Sequence, residues 1–168
     1  MQRFNLAIVF VIFLSCSSNE TKVITNKEGN YSVTVLHDWK YRIERKNTRI
    51  DKTITIGTQY VSGTLTISEG PTEYNTLDET ASIYLSQFPS TFTDFRKISE
   101  GSTEINGIRC RWFRMTDNDN GTTYMTVQYI LQQKEKVCYV LNCSATEDTF
   151  RDFEEDFTSM VFSYKRLE

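Results

Sequence analysis

Apolar and polar residues alternate with a period of two over most of this chain, and two segments break that pattern. Tyr31, Val33 and Val35 fall on one face of a strand over 31–36. With Val23-Ile24, across a Glu28-Gly29-Asn30 turn, they predict a first strand pair. Thr- and Ile-rich segments over 53–60 and 65–68 bracket Ser62-Gly63 and predict a hairpin that turns there. Four more strands are expected over 95–105, 107–115, 122–132 and 136–144, the last three as a meander. Asn120-Gly121 supplies the turn between the second and third, since both residues tolerate positive φ.

The two exceptions have helical period. Thr76-Leu77-Asp78-Glu79 reads as a capping box, Pro89 as a stop, and Leu77, Ala81, Tyr84, Leu85 and Phe88 recur on one stripe between them. A second helix starting near Thr146 puts Phe150, Phe153, Phe157 and Met160 on one side and Asp148, Asp152, Glu154, Glu155 and Asp156 on the other. Each helix thus has one face to bury. Laying both against a mainly antiparallel sheet gives an α+β fold, an α-β-α sandwich.

The first residues follow different rules. Arg3 precedes an unbroken apolar run from Leu6 to Leu14, and Ser15-Cys16 follows. A bilayer span needs roughly 20 apolar residues, so the run reads as a cleaved leader. Ser15 before Cys16 resembles the signal of bacterial lipoproteins, with Phe13 where Leu is usual. That resemblance implies cleavage before Cys16 and acylation of its sulfur, with palmitate among the acyl groups. The other reading is an ordinary secretory leader with Cys16 incidental. The expected division is 1–15 leader, 16–27 lipidated start and polar tether, and 28–168 folded domain. Ser17 after the cysteine implies sorting to the outer membrane. A mature chain of 153 residues loses Arg3 and carries a net charge of −4. At that size about 70% of the unfolded surface can be buried, enough for a fold without disulfides.

The order of a 31–36 strand, Trp39, an Asn106-Gly107-Ile108 step, a meander and a Phe153, Phe157, Phe162-Ser163 ending resembles the PsbP-like domain, which includes the DcrB-like bacterial lipoproteins. The resemblance covers nearly the whole mature chain. It implies the α-β-α sandwich, shared by an extrinsic photosystem subunit and a Ran-binding import factor, and hence a scaffold whose partners vary. Leu36-His37-Asp38 stands where the family often has Pro.

Candidate chemistry narrows the function. A net charge of −3 over the full sequence argues against nucleic acid, and one histidine, His37, is too few for a His-rich metal centre. Adjacent His37 and Asp38 are expected to point to opposite sides of a strand and so not to pair. Asp117-Asn118-Asp119-Asn120-Gly121 lacks the terminal carboxylate of a calcium loop, since Val127 stands there, and reads as a solvated turn. Cys138 and Cys143 lie five residues apart on one strand, on opposite faces, and Cys110 is on another strand, so three buried free thiols are expected and no zinc site. No glycine-rich phosphate loop or nucleophile motif occurs, and no catalytic residue or cofactor is assigned.

Charge is segregated: residues 40–52 carry a net +4 and residues 147–156 a net −5. Arg42, Arg45 and Arg49, with Arg109 and Arg111, form the candidate binding surface, facing anionic lipid or an acidic partner. The expected function is a non-catalytic lipoprotein held in the membrane by its lipid, binding another envelope protein. The alternative is a small-molecule or lipid carrier, prompted by 22 aromatic residues, more than two helical stripes require.

Overall fold

The computed structural model describes residues 20–71, 74–134 and 136–167. The leader and Cys16 lie outside the described residues. Ten strands and two helices follow in the order β1 (Lys22–Asn26), β2 (Tyr31–Val35), β3 (Lys40–Glu44), β4 (Asn47–Ile56), β5 (Gln59–Pro71), α1 (Leu77–Thr91), β6 (Thr93–Ile105), β7 (Ile108–Asp119), β8 (Thr122–Lys134), β9 (Val137–Thr146), α2 (Phe150–Phe162) and β10 (Lys165–Arg166). The sheet expected from the alternation is divided in two. Seven strands run β3-β4-β5-β9-β8-β7-β6, and three more run β1-β2-β10, with the described pairings antiparallel.

The period of two assigns each strand residue to a face. On β7, Phe113 and Met115 join the cluster under α1, whereas Cys110 joins the cluster under α2. On β9, Cys138 belongs to the first cluster and Tyr139, Leu141 and Cys143 to the second. The helices therefore lie on opposite faces of the large sheet. Helix α1 packs on β6, β7 and β8, and α2 on β9, β5 and β2. The small sheet shares α2's layer. Tyr31 of β2 stacks on Tyr164 at 5.3 Å and meets Tyr139 of β9 edge-on at 5.4 Å. Its hydroxyl donates to Thr48 Oγ1 of β4 at 2.7 Å.

The capping box is as expected: Thr76 Oγ1 accepts from Glu79 N–H, and Glu79 accepts from Thr76 N–H. Helix α1 does not stop at Pro89, however, but runs to Thr91. The proline, which has no N–H, forgoes one backbone bond near the end of the helix, and the C-cap Phe92 N–H still reaches Phe88 O at 2.9 Å while the two rings pack at 5.6 Å. Helix α2 begins at Phe150, four residues after Thr146. Residues 146–149 are instead held in a turn by Thr146 Oγ1 to Asp148 and by Thr149 N–H to Thr146 O. The folded domain also begins earlier than 28. Lys22–Asn26 is a strand, with Ile24 and Asn26 buried against the core.

The β4–β5 hairpin turns at Gly57-Thr58, where Gly57 has φ +61°, and not at Ser62-Gly63. Gly63 sits within β5 because the Phe153 ring of α2 lies on it: a Cβ there would be 2.7 Å from Phe153 Cγ. The three thiols are free and buried, with Cys138 on the face opposite Cys110 and Cys143. Burial pushes the Cys110 thiol up to about 12 and raises Cys143 and Cys138 as well.

Two outcomes follow. Gly63→Val forces a branched side chain into the Phe153 ring and lowers stability by about 1–3 kcal/mol, measurable as a lower urea midpoint with an unchanged slope. In native protein at pH 8 the thiols of Cys110, Cys138 and Cys143 resist iodoacetamide, and mass spectrometry finds all three alkylated only after denaturation.

Candidate functional site

Each helix covers only part of its face, so among the described residues two regions of the large sheet stay open. Beyond α1 the open region is polar. Its central row runs Arg42, Arg49, Thr66, Asn142 and Gln128 across five strands. Gln128 is buried, donates to Asn142 Oδ1 at 3.1 Å and leaves its own Oε1 without a partner. At one end of the region Phe92, Asp117, Asp119, Tyr124, Thr126 and Ser144 line a cleft of about 260 Å³. Desolvation, then the neighbouring Asp119 charge, raises the Asp117 carboxyl above its ordinary value.

Beyond α2 the open region is aromatic. Trp112 of β7 faces Tyr129 of β8 across the ladder and Gly101 of β6 on its other side. Gly101 has no Cβ because the indole lies against it; one would meet Trp112 Cζ2 at 2.7 Å. Ser99 and Thr103 flank the glycine on the same face of β6. Phe162, 42% exposed at the end of α2, forms the opposite wall with Arg114, and Val127 completes a cleft of about 280 Å³. Arg114 donates to Glu154 of α2, so the cation at this wall is already paired. Its guanidinium also sits 5.6 Å from the Phe150 ring. Burial pushes the Tyr129 phenol up to about 12, keeping it neutral and able to donate. Asn106 Nδ2 fixes the Phe162 wall by donating to Phe162 O at 2.9 Å and Tyr164 O at 2.8 Å.

The arginines expected to form one basic surface are not brought together. Arg42 and Arg49 face each other on β3 and β4, five and four strands from β7, or about 24 and 19 Å at ~4.8 Å per strand. Arg111 shares their face but lies at the start of α1, and Arg109 is at the exposed end of β7. Arg45 is in the β3–β4 turn with φ +52°. Three of the five hold carboxylates: Arg42 to Glu44 at 2.9 Å, Arg49 to Asp51 at 2.9 Å, and Arg111 to Asp78 at 2.9 Å. The acidic side of α2 is similarly engaged. Lys52 reaches Asp156 at 3.0 Å, and Trp39 Nε1 donates to the same carboxylate at 2.9 Å. Folding thus consumes part of the charge asymmetry read along the chain.

His37 and Asp38 do pair, Nδ1 to Oδ1 at 2.8 Å, because they lie in a turn closed by Trp39 N–H to Leu36 O and not on a strand. The histidine hydrogen bond, then Lys52, holds the Asp38 carboxyl below its usual range. Both side chains are well exposed, in a shallow cleft with Thr21, Lys52 and Asp156. Of the Asp117–Gly121 segment, Asp117, Asn118 and Asp119 end β7 and pair with β8, and Asn120-Gly121 makes the β7–β8 turn, with Gly121 N–H donating to Asn118 Oδ1 at 2.9 Å. The sequence did not single out Trp112 or Tyr129, and Phe162 stood out only in the family-like ending, not as part of a site. The usable signal was the surplus of aromatic residues over the helical stripes.

No protein-family model matches the sequence, and no curated protein matches it. Solved structures do. The Saccharomyces cerevisiae Ran-binding protein Mog1p superposes with a TM-score of 0.65 at 8% identity, over 90% of this chain and 97% of that one. LpqN of Mycobacterium tuberculosis, described as involved in cell envelope biogenesis, gives 0.61 at 11% identity, over 89% and 91%. Cyanobacterial PsbP from Synechocystis gives 0.56 at 10% identity, over 90% and 95%. At these identities the likeness is one of architecture, and it matches the order of strands and helices seen here: the chain has the α+β fold common to PsbP and Mog1.

Proposed function

We propose that this chain is a lipid-anchored envelope lipoprotein whose folded domain is a non-catalytic binding module for another envelope protein. The observation that carries the binding role is the incomplete covering of the large sheet. Its paired strands carry buried core residues under both helices, yet among the described residues regions of both faces are left open, the aromatic one walled by the end of α2. Two proteins of the same fold are described by binding or envelope roles, Mog1p as Ran-binding and LpqN as involved in envelope biogenesis, which supports the reading. The anchor rests on the sequence, on the apolar run into Ser15-Cys16, with outer-membrane sorting from Ser17.

Carriage of a lipid inside the domain is the weaker reading. The space between α2 and the sheet is occupied by Phe150, Phe153, Phe157 and Met160 against Leu65, Ile67 and Leu141, all buried. An acyl chain held there would have to displace them.

Labelled palmitate is expected to enter the native protein, and Cys16→Ser to abolish both the label and the membrane fractionation. Persistence of membrane attachment in the unlabelled variant would refute the anchor. Crosslinking in intact membranes, followed by mass spectrometry, is expected to identify one envelope protein joined to the domain. Recovery of lipid alone would refute the binding module.

A further inference from the structure

We propose that the cleft of Trp112, Tyr129 and Phe162 binds a neutral saccharide. This deepens the binding-module reading, on which it rests, by giving that module a second ligand of defined chemistry. A sugar ring is amphiphilic in a particular way: its faces present C–H groups and its rim presents hydroxyls. The cleft has the complementary arrangement. Its floor is aromatic and aliphatic, from Trp112, Tyr129 and Val127, while Ser99, Thr103 and Arg114 stand at its sides. The Trp112 indole is held by its packing on Gly101 and is half-buried, so ordering the platform costs little on binding.

Charge and size select among ligands. The one cation lining the cleft, Arg114, is neutralised by Glu154, and Tyr129 stays protonated, so the lining has no uncompensated charge to attract an ion. A volume of about 280 Å³ is just below the roughly 300 Å³ at which drug-sized ligand pockets begin, and suits one or two sugar rings with the rest of an oligosaccharide in solvent. The cleft opens to solvent along its length, unlike a tunnel that would shelter an acyl chain. Arg114 retains further N–H donors beyond the one given to Glu154, and the hydroxyls of Ser99 and Thr103 both donate and accept. Together they can satisfy the ligand's rim.

The test uses the full chain in a detergent without a sugar headgroup. Of its two tryptophans, Trp39 is buried and Trp112 lines the cleft, so emission reports on the site. Titration with the N-acetylglucosamine trimer and with maltotriose is expected to change emission saturably for at least one of them, and a galacturonate trimer to bind more weakly. Thr103→Val, which keeps the shape and removes a hydroxyl, is expected to weaken binding about threefold to tenfold. Trp112→Phe is expected to abolish the emission change and to weaken binding measured by calorimetry, with circular dichroism confirming that the variant folds. No saturable response or heat with either neutral saccharide at tens of millimolar would overturn the proposal, as would tighter binding of the galacturonate or full affinity in both folded variants. Crosslinking to an envelope protein is read separately, so loss of sugar binding alone would leave the binding-module reading standing.

Discussion

A seven-stranded sheet is about 29 Å wide at ~4.8 Å between strands, and a helix with its side chains is only about 10–12 Å across. One helix cannot cover a face of such a sheet, and each face here receives one. The chain meets this shortage by offsetting the two helices, α1 over the β6–β8 end and α2 over β9 and β5, with the three-stranded sheet filling out α2's layer. Where neither cover reaches, the side chains change character. Thr66, Asn142 and Arg49 can be wetted without cost, whereas Trp112 and Tyr129 are left half in contact with water. The candidate site is a consequence of this geometry.

The joint between the two sheets is polar as well as aromatic. Tyr31, Tyr139 and Tyr164 pack together, and each sheet supplies hydrogen-bond partners to the other: Tyr31 to Thr48, Tyr139 to the Gly29 carbonyl, and Asn26 to Asn47 and Thr48. Burying three phenols is favourable only if their hydroxyls find partners. Tyr31 and Tyr139 do so across the sheet boundary, and that requirement fixes how the small sheet sits. Such a joint has little tolerance for sliding, so a site on the large sheet is held to a defined geometry.

Much of the architecture was legible because short-range rules decided it. The stripe Leu77, Ala81, Phe88 could bury only one face, Thr76 and Glu79 are near enough in sequence to cap each other, and Asn120-Gly121 leaves one turn geometry favoured. Long-range contacts decided what was missed. Gly63 looked like a turn residue because glycine usually is one, and only the arrival of Phe153 from the far end of the chain explains it. The candidate cleft is a second case, since Phe162 of α2 reaches Trp112 and Tyr129 from far along the chain and the lining comes from three strands and a helix. The arginines misled for the same reason. Residues 40–52 have a local charge sum, but carboxylates two positions along the same strand, one at the start of α1, and the strand order between β4 and β7 determine what a partner meets.

The early start of the folded body at Lys22 sets how far it could stray from an acylated Cys16. Only residues 17–21 intervene, and five residues extend to about 18 Å at most. A body on so short a leash would explore a thin layer above the lipid headgroups, with diffusion confined to two dimensions. Its encounters would then be with molecules that travel in the same layer, at a local concentration far above that in free solution. Lengthening those five residues would dilute the encounters without touching a single contact inside the domain.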